Sequence, residues 1–317
     1  MPRYVFGPVP SRRLGASLGI NNIPPKVCSY SCVYCQLGRT ITMSVERRRY
    51  SDPNEIAREV REVASRGVRI DYVTFVPDGE PTLDTEIGRA AALIGSMGLR
   101  TAIITNSSLM WRDDVRADLS EFSLVSLKVD AVDEQLWRRI NRPHRSLSLD
   151  RVLEGCEEFA KGYRGALITE TMLVKGLNTC EECLKATALF VARLRPAKAY
   201  IAVPIRPPAE PWVEPPSGED VVRAYTVFSE VLSGDRVELL TGPEPPRFEV
   251  VGESEDYLLR TTSVHPMRLS HALKALEGLV EDPEAVVKRL VRRGELVVVT
   301  YRGEKFLVRS FVRRGSS

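Results

Sequence analysis

Glutamine is nearly absent from this chain, standing only at positions 36 and 135 of 317 residues, and arginine far outnumbers lysine. Few thermolabile amides and many ion-pairing side chains suggest a thermophile. No stretch approaches the ~18 apolar residues of a membrane span. The opening Met-Pro-Arg-Tyr-Val-Phe-Gly-Pro has no apolar run that could serve as a signal peptide. The expectation is a cytoplasmic protein without a membrane partner. Internal repeats and low-complexity tails are also missing. The net charge is only +3, which by itself does not diagnose a nucleic-acid binder. The six cysteines, in a reducing compartment, suit metal ligation better than a disulfide framework.

What is present is a large apolar fraction, 43%, enough for one big domain and a smaller one. Short β-branched runs alternate with longer amphipathic segments. Strands are predicted over residues 18–23, 71–76, 101–105, 124–129, 166–174 and 198–203. Helices are predicted over 53–66, 86–97, 113–119, 134–141, 149–163 and 180–194. Such alternation demands a mainly parallel α/β sheet with right-handed crossovers, and six units fit a partial (β/α)6 barrel. Residues 204–216 carry six prolines and form a stiff connector or a lid. A helix over 218–233 and a second Pro-rich turn over 242–246 follow. Helices over 268–279 and 283–293, then a hairpin of 296–301 with 305–312, give the pattern of a winged helix. The expected organisation is a barrel with its connector in 1–216, a helical linker in 217–246 and a small winged-helix-like α+β unit in 247–317.

Cys28, Cys32 and Cys35 directly follow the first predicted barrel strand with C-x3-C-x2-C spacing. Three thiolates in eight residues can close around one face of an iron–sulfur cube, leaving its fourth iron without a protein ligand. A small molecule could be chelated and reduced there. The same thiolates plus one imidazole would make an ordinary zinc site, although His144, His265 and His271 all lie far away in sequence. A second pair, Cys180 and Cys183, sits where Asn178-Thr179 should cap a helix. Two cysteines are too few for another cluster unless Cys156 joins them, so redox-inert thiols are expected.

In parallel α/β folds the chemistry collects on loops leaving the C-terminal ends of strands. The cysteines follow the first strand, Asp78-Gly79-Glu80 the second, Asn106 the third, Asp130 the fourth, Lys175 the fifth and Arg206 the sixth. All therefore share one rim. Gly79 lets the backbone approach a ligand closely, and the Glu80 carboxylate can pair with a ligand ammonium. Ser126, Lys128 and Asp130 alternate with Leu127 and Val129, so they point to one face. A buried Lys128 is expensive unless paired, and Asp130 is its expected partner. A substrate contact or proton relay is the sharper role for Lys128.

The cysteine spacing, with Tyr34 just before the third cysteine, and the Gly79-Glu80 pair resemble the radical S-adenosylmethionine (SAM) superfamily. The resemblance implies a [4Fe–4S] cluster on Cys28, Cys32 and Cys35 whose open iron chelates SAM. It places Gly79 and Glu80 at the SAM amino group, Asn106 at its carboxylate, and Tyr34, Ser126 and Asp130 among the cofactor-binding residues. It further implies one-electron cleavage of SAM to methionine and a 5′-deoxyadenosyl radical that abstracts hydrogen from a substrate, with a reductant protein as partner. One departure is Asp78, which stands where the family's Gly-Gly-Glu has its first glycine. Residues 125–131, Trp137 and residues 140–144 resemble the branch that includes the molybdenum-cofactor GTP cyclases and the wyosine-forming tRNA enzymes. RNA, and tRNA in particular, is the first substrate expectation, because Lys288, Arg289, Arg292, Arg293, Arg302, Lys305, Arg309, Arg313 and Arg314 make the tail basic. Against it, the wyosine-forming enzymes carry additional cysteines for a second cluster. The alternatives are a small metabolite or protein side chain as substrate, and a metal-binding or electron-carrying protein without SAM chemistry.

Overall fold

A computed structural model describes residues 4–242 and 248–310. The expected turn at 243–246, the end of the last predicted strand and Arg313-Arg314 lie outside the described residues. Eight strands form one sheet in chain order: β1 (Val5–Ser11), β2 (Gly15–Ile20), β3 (Tyr72–Phe75), β4 (Thr101–Thr105), β5 (Leu124–Lys128), β6 (Ala166–Met172), β7 (Lys198–Ala202) and β8 (Val237–Leu240). β1 and β2 form an antiparallel hairpin, and every later neighbour is parallel. The parallel strands are joined by α1 (Pro53–Ala64), α2 (Ile87–Gly95), α3 (Asp113–Leu119), α4 (Glu134–Asn141) with α5 (Leu149–Gly162), α6 (Glu181–Arg193) and α7 (Gly218–Leu232). Local chemistry sets their starts. Asp52 accepts from the amides of Asn54 and Glu55 ahead of α1, with Pro53 in its first turn, and Ser217 with Asp220 forms a capping box on α7.

Both faces of the sheet carry apolar residues, as a largely buried parallel sheet requires. Val73, Phe75, Ile103, Val125, Leu127 and Ile201 pack against the helices. Leu14, Ala102, Leu124, Ile168, Tyr200 and Leu240 fill the concave side. Leu14 belongs to the first hairpin and Leu240 to the last strand, so the sheet curls until its two ends share one core. Arg12 fixes this closure by donating to the carbonyls of Leu240 at 2.7 Å and Gly242 at 2.9 Å. The result is the expected partial barrel of six β/α units, with β1 and β8 added at its ends. The segment read as a helical linker thus supplies α7 and the parallel strand β8.

The remaining chain folds as α8 (Ser254–Val264), β9 (Met267–Arg268), α9 (Leu269–Leu276), α10 (Pro283–Arg292), β10 (Leu296–Tyr301) and β11 (Glu304–Arg309). Its antiparallel sheet has the order β9–β11–β10. Helix, strand, two helices and a hairpin is the order of a winged helix. Phe6 and Val9 of β1 are buried with Tyr257, Leu258, Met267 and Leu307 in its core. The first strand therefore joins the two units. Among the described residues no helix is long and apolar enough to cross a membrane.

Candidate active site

Cys28, Cys32 and Cys35 are free thiols on the loop after β2, and all three line a cavity of about 320 Å³. The loop is held by the end of α4. Arg142 takes a left-handed conformation (φ 45°) and stops that helix, leaving carbonyls that the loop satisfies. Ser31 N donates to Asn141 O at 3.0 Å and Val33 N to Ile140 O at 2.9 Å. Trp137 Nε1 donates to the Tyr30 hydroxyl at 3.1 Å while the two rings meet edge to face. This packing brings α4 beside the cysteines.

Burial pushes the Cys32 thiol up to about 12, and burial with the nearby Glu80 charge pushes Cys28 upward as well. The Cys28 and Cys32 thiols therefore favour their protonated forms, and a metal centre would displace those protons. Among the described residues no three cysteine, histidine or acidic side chains converge closely enough to hold one metal ion. A zinc site needs four ligands within about 2.3 Å of one point, whereas a cube bound at three corners keeps its sulfurs apart. His144 bonds Ser146, and His265 bonds Arg206. His271 sits against Phe248 in the second unit. The donor set and spacing thus fit a cluster better than zinc.

The loop after β3 docks on the cysteine loop through its backbone. Lys26 N donates to Asp78 O and Glu80 N to Val27 O, each at 3.1 Å. A Cβ on Gly79 would lie 2.0 Å from Val27 O, so only glycine permits this approach. Glu80 is buried. Its Oε1 accepts from the Thr82 amide at 3.1 Å and from the Thr82 and Thr105 hydroxyls at 2.6 Å, and its Oε2 accepts from Asn106 N at 2.8 Å. Burial raises this carboxyl against the pull of those bonds. Asp78 is also buried, its Oδ2 has no hydrogen-bond partner among the described residues, and burial raises its carboxyl to about 7 against the attraction of Lys26. The sequence marked Asp78 only as a departure from glycine.

Leu124, Ser126 and Lys128 do share the concave face of β5, but the pairing expected of Lys128 is corrected by the register of the sheet. Lys128 stands opposite Glu170 on β6 and donates to its Oε1 at 2.7 Å, while Arg13 bridges to the other oxygen. Burial lowers the Lys128 ammonium, with the Asp130 charge opposing. Lys128 also lies 4.9 Å from the Tyr34 ring centre. Asp130 instead receives the Tyr34 hydroxyl, Asn141 Nδ2 at 2.7 Å and Met172 N at 2.8 Å. It braces the loop from behind. Ser126 is buried but is not among the cavity-lining residues, whereas Tyr34, Gly79, Glu80, Asn106 and Lys128 are. Sequence reasoning missed Arg13 and Glu170, because neither carries a local motif.

Arg206 does reach the cavity, donating to Gln36 Oε1 at 2.8 Å and meeting His265 Nε2 at 3.1 Å. Val264 and His265 of the second unit line the same cavity. Lys175 instead pairs with Glu214 at the surface, and Asn178 braces the chain through Val174 N, Asp130 O and Met172 O. Cys180 and Cys183 are not free thiols as expected: they form a disulfide, with Cys180 at the N-cap of α6.

Residues 22–190 match the family model described as the radical SAM superfamily. The chain is 44% identical over 311 residues to the UPF0026 protein MJ1312 of Methanocaldococcus jannaschii, covering 98% of this chain and 97% of that one. It is 30% identical over 302 residues to a UPF0026 protein of Helicobacter pylori, covering 91% and 96%. Its fold is similar to that of SuiB from Streptococcus suis bound to S-adenosylmethionine, with a TM-score of 0.53, 15% identity, and coverage of 71% of this chain and 51% of that one. The chain belongs to the radical SAM superfamily. It is an enzyme of that superfamily, which uses a [4Fe–4S] cluster and SAM, cleaves SAM at the cluster and needs an electron donor.

Proposed function

We propose that this enzyme holds its cluster on Cys28, Cys32 and Cys35, binds SAM between the cysteine loop and the Gly79-Glu80 loop, and acts on a small substrate in the same cavity. The observation that carries the reading is the convergence of three free thiols and a buried carboxylate on one cavity wall. The bound cluster would supply the electron that splits SAM into methionine and a 5′-deoxyadenosyl radical. Glu80 keeps capacity for a ligand ammonium: its Oε1 takes three hydrogen bonds, but its Oε2 takes one. The Asn106 backbone is held at the cavity wall by its amide bond to Glu80, and its Nδ2 would meet the SAM carboxylate by giving up its bond to Ser29 Oγ. Gly79 keeps the wall thin. Lys128, held over Tyr34 by Glu170, is the residue that would orient the substrate or hold a proton at Nζ. Asp130 acts through Tyr34 and Asn141.

A small substrate is favoured over RNA because residues of the second unit, Val264 and His265, help to enclose the cavity. Lys288 and Arg289 of α10 and Arg293 at its C-terminal cap have acidic partners, Lys288 on Glu284 and both arginines on Glu255. RNA remains the second reading, supported by the winged-helix order and the further basic residues Arg292, Arg302 and Lys305. Anaerobic reconstitution followed by assay for 5′-deoxyadenosine tests the main reading. A loaded cluster with no SAM cleavage overturns it.

A further inference from the structure

Each of the three candidate ligating sulfurs has its own N–H donor, and the three donors come from three separate parts of the chain. Asn106 Nδ2 lies 3.5 Å from Cys28 Sγ, Asn141 Nδ2 lies 3.4 Å from Cys32 Sγ, and Lys26 Nζ lies 3.8 Å from Cys35 Sγ. All three donors are fixed by second bonds. Asn106 Nδ2 also donates to Ser29 Oγ at 2.9 Å, and Asn141 Nδ2 to Asp130 Oδ2 at 2.7 Å. Lys26 is buried, has a left-handed backbone (φ 61°) and anchors its ammonium on Gly38 O at 2.7 Å. None of these arrangements is needed to ligate iron.

We infer that Lys26, Asn106 and Asn141 are positioning residues that raise the reduction potential of the cluster, and so set which reductant can load it. The inference rests on the assignment of the cluster to Cys28, Cys32 and Cys35. Hydrogen bonds to ligating sulfurs are one of the protein's controls over cluster potential. Reduction adds one electron to the cluster and no proton, so the added negative charge is spread onto the thiolates. A donor aimed at a thiolate stabilises the reduced form more than the oxidised one. Lys26 Nζ is an ammonium-type donor withdrawn from water, whereas the two amides are neutral dipoles, so it should exceed either amide in effect. The three donors also divide the work by sulfur, so their removal should add.

The test is potentiometric titration of the reconstituted full-length protein, followed by electron paramagnetic resonance, with iron measured in every sample. Lys26→Met should bind its full iron and titrate at a more negative potential than the native protein. Asn141→Ala should shift in the same direction by less, the double variant by more than either, and Lys26→Arg should return towards the native value. Native potentials in iron-loaded Lys26→Met and Asn141→Ala would overturn the inference. If a variant fails to hold iron, native protein carrying 15N-asparagine decides the matter. Pulsed resonance of its reduced cluster should reveal coupled 15N nuclei, and their absence would count against the donors. Failure of the native protein to bind iron through the three cysteines would instead refute the cluster assignment itself.

Discussion

The two units of this chain carry their charges in opposite ways. At the barrel mouth, Lys128 and Glu170 expose only 16% and 11% of their side chains and share their pair with the similarly buried Arg13. On α10, Lys288 and Glu284 expose 61% and 63%. Exposed pairs of this kind contribute little to stability, whereas leaving a buried charge without its partner is costly. The basic tail is the more conspicuous charge pattern in the sequence, yet the fewer charges around the cavity are those the fold has withdrawn from water. Burial, and not charge density, marks the proposed site.

The sharpest way to test this contrast is to remove a sulfur. Cys32→Ala should lose the cluster and all SAM cleavage, while Cys180→Ser, which breaks a disulfide on the outer edge of α6, should keep both. Iron analysis and 5′-deoxyadenosine assay read the two outcomes. Next comes Glu170→Ala, which strands two buried cations and should cost about 3 to 5 kcal/mol in a denaturant titration. Glu284→Ala at the surface should leave the titration midpoint near its native position. Equal effects would erase the distinction between the units.

Glu80→Gln should keep its iron but weaken SAM binding by on the order of 2 to 5 kcal/mol, since the amide cannot pair with an ammonium in a buried site. Calorimetric titration of the reconstituted variant reads this, and native affinity would remove Glu80 from the SAM site. Glu80→Ala is the poorer test, because it also strands the Thr82, Thr105 and Asn106 donors.

How much of this was legible in the sequence depended on whether the signal ran along the chain or across it. The cysteine loop, Gly79-Glu80 and the rim position of Asn106 are local, and the alternation of strands and helices placed them on one edge. The partner of Lys128 was not legible: Glu170 faces it only through the register of β5 on β6, whereas Asp130 was nearer in sequence. Asn141 reaches Cys32 because α4 ends against the cysteine loop, which no spacing rule encodes. The short strand β8 lies just beyond a 3-10 turn and has only two buried residues, too little pattern to read.

A smaller effect separates the two buried acids of the same wall. Asp78, raised to about 7 by burial, favours the folded state while it is protonated. That contribution is fully present below its ordinary value of about 3.9 and is lost as pH rises through about 7. The metal-free protein should therefore lose stability between about pH 4 and pH 7, and Asp78→Asn should flatten this part of the profile. An unchanged slope in the variant would assign the pH dependence elsewhere.

The smallest expected effect belongs to the tail. If its cations chiefly serve neighbouring acids, tRNA binding should be weak, and its log affinity should fall with log salt by less than the ~0.7 to 0.9 per phosphate contact of a true nucleic-acid grip. A steep slope that Arg292→Ala and Arg302→Ala reduce would move RNA to first place.

On the proposed reading, three cysteines hold a cluster whose fourth iron is left for SAM. Mössbauer spectroscopy of the anaerobically reconstituted, 57Fe-labelled protein tests it most directly. One four-iron cluster per chain is expected, in which a single iron changes its isomer shift when SAM is added, a response lost in Cys32→Ala. Four irons that ignore SAM, or a cluster that survives Cys32→Ala, would contradict it.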